Sequence, residues 1–450
     1  MTLQFQSTNR QSPAVDVRGA LLKGQAPDRG LYMPESFPEL PLETRRKFRD
    51  ADYPQIAFEV LWPYFEGVID EDSLRSLCAD AYNYDVPLEK IYDRVHVMRL
   101  DRGPTASFKD FAARMMARLM GRFVREDKRE LLILTATSGD TGSAVASAFH
   151  GVEGIRVLVL FPIDEVSERQ RRQMTTLSDN IRSVALDGKF DDCQAIVKQA
   201  FADPALESFP LSSANSINIG RLLPQSVYYF YAASRVAEAG EPVVITVPSG
   251  NFGNMMGAMV ASRMGLPLKR LVVPVNENDE FPTFLESGDY RKIEPSRACL
   301  SNAMNVGHPS NLARLVAIYG GWLDETGKMK LPADMDAMRR DLFSTAVSDS
   351  STRVAIEKAW SEHRLLLEPH GAVAWRGFLD YAETVPLDGS PAVVVETAHP
   401  AKFPEEIQRT LGVTPDAPDS ISRLDTLEED YDRLEVDYDA FRDYLKTNYD

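Results

Sequence analysis

The stretch LLILTATSGDTGSAVASAF, residues 131–149, decides the fold. Its first part, 131–137, is a short apolar run of strand length, and 141–149 carries small and apolar residues at helical spacing. Between them SGDTG places glycines where a helix would present its free N–H groups, so the stretch reads as strand, tight turn, helix. The same alternation continues outward. IRVLVLF (155–161) reads as a strand, SERQRRQMTTL (167–177) as a helix opened by the capping pattern Ser167 to Gln170, SVALDG (183–188) as a strand and FDDCQAIVKQAF (190–201) as a helix. A second round follows with a helix over 219–239, PVVITVP (242–248) as a strand, NFGNMMGAMVASRM (251–264) as a helix and RLVVPVN (270–276) as a strand. Strands that alternate with helices imply parallel sheets covered by helices, and here two such α/β units.

The first hundred residues break this rhythm. A turn-rich start (29–41) and a helical pattern over 50–65 place an accessory domain there. Residues 277–312 read as a long loop region, and loops of that length often serve a site.

Composition narrows the classes of function. With 450 residues, 44% of them hydrophobic and 26% charged, the chain has material for two or three globular domains. A net charge of −17 argues against nucleic acid and anionic membranes as partners. The acidity is concentrated in 416–450, where twelve acidic residues face four basic ones. Leu424, Leu427, Tyr431, Leu434, Tyr438, Phe441 and Leu445 recur there at three and four residue intervals, which predicts one amphipathic C-terminal helix. Cys78, Cys193 and Cys299 lie far apart in no metal-like spacing, so neither a disulfide framework nor a metal site is expected. The N-terminal residues contain no signal-peptide-like apolar core, and no apolar run is long enough to span a bilayer. A cytoplasmic protein is expected.

Two strand-to-helix junctions, LTATSGDTGSAV (134–145) and VPSGNFGNMMGA (247–258), could each hold an anion through helix N–H groups. Neither has the spacing of a Walker loop or a dinucleotide fingerprint. In PTASFKDFAARM (104–115), Lys109 lies at a helix start with Ser107 as the expected N-cap. A lysine there, partly desolvated, would have a lowered pKa and a usable neutral amine, although most first-turn lysines are ordinary surface residues. Thr397, His399 and Lys402 follow a buried strand in VVVETAHPAKFPEE (393–406), the kind of sheet edge where ligands bind. A strand ending in a turn explains them equally well, and His370 is explained as a helix-start residue. N-capping accounts for Asn215 and Asn218 ahead of Arg221, and Arg169, Arg171 and Arg172 read as an exposed helix face.

Taken in order, PTASFKDFAARM, TATSGDTGSA, SERQRRQMTTL, SSANSINIGR, VPSGNFGN, NAMNVGHPSN, EPHGAVA and ETAHPAKFPEE resemble the threonine synthase family, as does the opening GALLKGQAPDRGLYMPESFP (19–38). The resemblance covers nearly the whole chain. It implies two parallel-sheet α/β domains of the tryptophan-synthase β-like fold, pyridoxal phosphate as cofactor, O-phospho-L-homoserine as substrate, and a monomer or homodimer. It divides the chain into an accessory domain at 1–94, a smaller α/β domain at 95–230 carrying Lys109 and SGDTG, and a larger one at 231–450 carrying GNFGN and the C-terminal helices. Lys109 corresponds to the lysine that forms the Schiff base, and Gly250, Asn251, Phe252, Gly253 and Asn254 to the cofactor-phosphate loop. Thr397 matches the hydroxyl facing the pyridine nitrogen, and Thr137, Ser138, Gly139, Asp140 and Thr141 the turn that receives the substrate carboxylate or lies beside it. Asn215, Asn218 and Arg221 are implied contacts of the substrate phosphate. A related phospho-lyase releasing 2-oxobutyrate, or a binding protein without catalysis, would carry much of the same pattern. Asn305 and Gly371 depart from the family's commoner residues at their positions, an aspartate and a bulkier side chain.

Overall fold

The computed structural model describes residues 2–449, and Met1 and Asp450 lie outside it. Two parallel sheets form its centre. The smaller has the strand order 432–434, 181–186, 155–162, 131–136, 211–213, with every pairing parallel. The larger has the order 342–343, 268–272, 243–246, 392–396, 95–99, 88–92, parallel except for the antiparallel edge strand 88–92. Strand 131–136 is buried at every position, as is 392–396, because helices cover both faces. This explains why their sequences are apolar at all but Thr135 and Glu396.

The two units interleave along the chain. Strand 95–99, expected to open the smaller unit, pairs in the larger sheet with 392–396, and strand 432–434 completes the smaller sheet beside 181–186. That second pairing breaks the C-terminal helix expected over 416–450. Glu429 accepts hydrogen bonds from Arg171 Nε at 2.9 Å and Thr175 Oγ1 at 2.8 Å, which turns the chain against the free edge of the sheet. Helix resumes only at 438–449, where Phe441 and Leu445 are fully buried. The arginines expected to be exposed are the clasp: Arg172 holds the Leu424 and Leu427 carbonyls, and Arg169 that of Ala401. The long helix expected over 219–239 is shorter, with single 3₁₀ turns at 219–221 and 223–225 ahead of 226–236. Within the expected loop 277–312 lies a helix, Glu280–Ser287.

The N-terminal region pairs strands 5–7 and 32–34 and packs helices 53–65 and 71–81 against the body. Tyr53 and Tyr84 meet Phe111 with ring centroids 5.5 and 5.1 Å away, tying this region to the helix that begins at Lys109. No helix among the described residues is long and apolar enough to cross a membrane.

Arg314 fastens three parts of the chain from a fully buried position. Its guanidinium donates to the carbonyls of Tyr32 (3.2 Å), Ser216 (2.9 Å) and Ile217 (2.6 Å) and to Asn311 Oδ1 (2.6 Å). With no carboxylate among these partners, burial pulls its pKa down to about 9. Arg314→Met leaves those acceptors unpaired, and a loss of about 3 kcal/mol is expected in denaturant unfolding. An unchanged midpoint would refute that role.

Candidate active site

The cleft lies where the carboxyl edges of both sheets face each other, and it encloses about 820 Å³ with its mouth included, a size suited to a small ligand. Lys109 opens on it from the first residue of helix 109–127. The expected cap at Ser107 does not form: its hydroxyl is buried without a partner, and its backbone bridges Ala398 instead. Asp110 organises the turn by accepting from Thr105 N at 2.8 Å and Thr105 Oγ1 at 2.7 Å. Phe108 N–H donates to the Thr397 carbonyl at 2.9 Å, so the lysine is held against the strand end that carries Thr397.

Burial is the chief cause of a Lys109 pKa lowered to about 8. Asp140 opposes this, with Oδ2 at 3.8 Å from Nζ, while Arg221 and Lys402 add to it.

Of the turn 137–141, Ser138, Asp140 and Thr141 reach the cleft wall. Thr137 and Gly139 build the turn instead. Thr137 Oγ1 accepts from Gly139 N at 2.9 Å and Gly142 N at 2.8 Å. Gly139 takes φ 127°, and a Cβ there would lie 2.5 Å from the Gln170 side chain. Helix 140–149 starts from that turn with its N–H groups toward the cleft.

On the opposite wall Gly250, Asn251, Phe252, Gly253 and Asn254 line the cleft together, with Phe252 at φ 63° ahead of helix 253–263. Gly250 passes so close to the segment 302–304 that a Cβ would sit 2.8 Å from Met304 Cα. Asn254 Oδ1 accepts from Tyr228 and Tyr229, each at 2.5 Å, which orients the amide. Its Nδ2 is buried with no partner. An orphaned donor beside a helix start fits a phosphate group, so the residues present suit pyridoxal phosphate.

Asn215 and Arg221 also face the cleft. Asn215 Nδ2 donates to the Ala136 carbonyl at 2.7 Å, and Arg221 Nη1 to that of Ala214 at 2.7 Å, which leaves the buried Arg221 Nε free. Burial lowers the Arg221 pKa to about 10, so it remains cationic at neutral pH. Asn218 does not join them. It is fully buried, donating to the Leu21 and Ser213 carbonyls and accepting from Gly220 N, each at 2.9 Å, and this corrects its expected contact with substrate phosphate.

Behind Thr397 stands a carboxylate that sequence reasoning passed over. Glu368 caps helix 369–384 by accepting from His370 N at 2.8 Å and Gly371 N at 2.9 Å, and it meets His370 Nδ1 at 2.5 Å. The Thr397 hydroxyl reaches its Oε1 at 3.5 Å. Only the acidic residue directly before Pro369 signals this cap in the sequence. Lys402, named with Thr397 and His399 at the end of strand 392–396, is fully buried against Asp140 at 2.7 Å.

This arrangement is that of a pyridoxal-phosphate-dependent enzyme: a buried, activated lysine shares one cleft with two helix starts able to hold anions. Residues 86–397 match the family described as pyridoxal-phosphate dependent enzyme, 4–82 the threonine synthase N terminus and 371–445 the threonine synthase C-terminal region. A threonine synthase of Haemophilus influenzae is 38% identical over 430 residues, with 95% of each chain covered, and that of Escherichia coli is 35% identical over 431 residues, covering 95% of this chain and 96% of its own. The solved structure of pyridoxal-phosphate-bound threonine synthase from Brucella melitensis superposes with a TM-score of 0.90 at 33% identity, covering 99% of both chains. The chain belongs to the threonine synthase family.

Both departures from the family pattern have local reasons. Asn305 accepts from Asn276 Nδ2 at 2.9 Å and from Cys299 N at 3.1 Å, which fixes the loop. Gly371 lies against Glu396, and a Cβ there would fall 1.4 Å from Glu396 Oε2. Burial, reinforced by Glu368, pushes the Glu396 pKa well above the usual carboxylate range. Gly371→Ala is therefore expected to cost about 2 kcal/mol, and the double variant with Glu396→Ala to be more stable than the sum of the singles by about 1 kcal/mol, read by denaturant unfolding. Additive losses would show that the two positions do not compete for space.

The apo protein should take up pyridoxal phosphate at a rate that rises with pH about a midpoint near 8, because only the neutral Lys109 amine reacts. A midpoint at the ordinary lysine value of about 10.4 would mean an unperturbed side chain.

Proposed function

We propose that the cleft converts O-phospho-L-homoserine and water into L-threonine and phosphate. The observation that carries this reading is the placing of Lys109 between two helix starts on opposite walls, with the cationic Arg221 on the same cleft. A ligand that brings a carboxylate and a phosphate to one reactive carbon chain needs that number of anion sites, beyond the one for the cofactor phosphate.

Bound pyridoxal phosphate supplies the electron sink that stabilises negative charge at the substrate's Cα. The chain's own residues do the rest. The N–H groups of 253–254 and the free Asn254 amide would hold the cofactor phosphate, and the Thr397 hydroxyl would serve the ring nitrogen. Ser138, Thr141 and the N–H groups behind them receive the substrate carboxylate. Arg221 and Asn215 face the substrate phosphate and stabilise the charge it carries as it leaves Cγ. Lys109, with its lowered pKa, takes the proton from Cα and remains within the cleft to move protons at Cβ and Cγ. Water then adds its hydroxyl to Cβ.

Supplied with O-phospho-L-homoserine, the cofactor-loaded protein is expected to release threonine and phosphate in equal amounts, followed by chromatography and a phosphate assay. Release of 2-oxobutyrate in place of threonine would reassign it as a phospho-lyase. Lys109→Ala should lower turnover by at least about 10⁴-fold while the thermal melt stays near wild type, since the same residue serves as nucleophile and base. A wild-type rate in that variant would sink the mechanism.

A further inference from the structure

Lys402 is a buried cation beside the cleft that the reaction as described leaves without a role. It stands on the 3₁₀ turn 400–402, just past the strand that ends at Glu396, and no part of its side chain reaches solvent. Its Nζ donates to Asp140 Oδ1 at 2.7 Å and to the Thr105 carbonyl at 2.9 Å. Gln170 Nε2 donates to the same Oδ1 at 2.9 Å. Asp140 is 3% exposed, and its second oxygen points toward Lys109 Nζ at 3.8 Å. One carboxylate therefore stands between two ammonium groups and is bound closely to only one of them.

We propose that Lys402 is a positioning residue: its ammonium engages Asp140, which keeps that carboxylate off the Lys109 amine and leaves the turn at 138–141 fit to receive an anionic group. The charge arithmetic requires such a partner. A bare carboxylate at the head of helix 140–149 would repel an incoming carboxylate and would bind Lys109 as its nearest cation. With Lys402 in place, the pair is neutral overall, and the helix N–H groups decide what the turn attracts. The ion pair also joins the two sheets, because Lys402 follows the larger sheet and Asp140 the smaller.

The charged and titratable groups facing Lys109 are Asp140 from helix 140–149, Lys402, Arg221 from the turn 219–221 and Glu368 from the start of helix 369–384. Asp140 meets Lys402, Lys109 and His370, and Lys402 also acts on Asp110. Burial alone would raise the Asp140 pKa, but Lys402 and then Lys109 hold it below the usual carboxylate range. Removing Lys402 both takes a like charge from Lys109 and frees Asp140 for it, and each effect favours the ammonium form. Removing the Asp140 charge acts in the opposite sense.

The test reads the titration of Lys109 in the apo protein, as the pH midpoint of pyridoxal phosphate uptake trapped by borohydride. Lys402→Met should raise the midpoint by about one pH unit or more, Asp140→Asn should lower it, and the double variant should return close to wild type. In the loaded enzyme, Lys402→Met should also raise KM for O-phospho-L-homoserine about tenfold, as expected for a like charge exposed within a few ångströms. An unchanged midpoint in a folded Lys402→Met, or a double variant no nearer wild type than either single, overturns the proposal. If Lys402→Met does not fold, Asp140→Asn alone decides, since a midpoint that fails to fall excludes the coupling. The proposal rests on the reading of the cleft given above, yet a wild-type protein that binds the cofactor at Lys109 and makes no threonine would refute only that reading.

Discussion

Two backbone hydrogen bonds set the geometry of the cleft. Phe108 N–H donates to the Thr397 carbonyl at 2.9 Å and His399 N–H to the Ala106 carbonyl at 3.0 Å, so the turn ahead of Lys109 lies along the segment that leaves the strand 392–396. These bonds fix the lysine and the threonine relative to each other through main-chain atoms, which side-chain motion cannot loosen. Ala106 takes φ 54° to make the seam, a strained value for a residue with a Cβ. The strain is held by Asp110, whose carboxylate binds the turn from inside, and by Gly103, where a Cβ would lie 2.4 Å from Asp110 Oδ2. Burial raises the Asp110 pKa even as Thr105 and Lys402 favour its charge, so the turn itself stores an electrostatic cost.

That cost recurs throughout the site. Asp140, Lys402, Glu368 and Arg221 are all buried, and each would be expensive alone. They are tolerated because each faces a fixed partner: Asp140 has Lys402, Glu368 has two backbone N–H groups and a histidine, and Arg221 has a carbonyl. Dry surroundings strengthen every one of these contacts, and they also desolvate Lys109. The same burial that makes the cleft demanding to fold therefore lowers the pKa of the amine that opens on it.

The sequence makes some of this plain and hides the rest for physical reasons. Strand runs such as 131–136 and 392–396 are legible because a strand buried on both faces is apolar at most of its positions. Gly139 is legible because no other residue tolerates its φ. The cap at Glu368 and the burial of Lys402 against Asp140 are not, since a buried charge is written with the same letter as an exposed one and its partner can lie far away in the chain. Asn218 misled for the converse reason: a polar residue ahead of an apolar helix suggests a ligand, but its partners are backbone carbonyls at Leu21 and Ser213. The C-terminal pattern over 424–445 has helical spacing, yet the unpaired edge at 181–186 recruits part of it as a strand, a tertiary demand that local periodicity does not carry.

His370 shows how fully hydrogen bonds engage the polar groups around the cleft. Its Nδ1 meets the Glu368 carboxylate at 2.5 Å, and its Nε2 accepts the Ala303 N–H at 3.1 Å. An acceptor nitrogen carries no proton, so Nδ1 is the donor and the ring spends both nitrogens on structure. It ties the segment 302–304, which closes over Gly250, to the carboxylate behind Thr397. Although it lines the cleft, it has no free nitrogen with which to take a substrate proton. His399 engages one nitrogen, its Nδ1 accepting from Ala401 N at 3.1 Å, and burial lowers its pKa to about 4. With both ring nitrogens of His370 committed, the cleft's remaining titratable amine is Lys109, and the network around Asp140 acquires its importance from facing it.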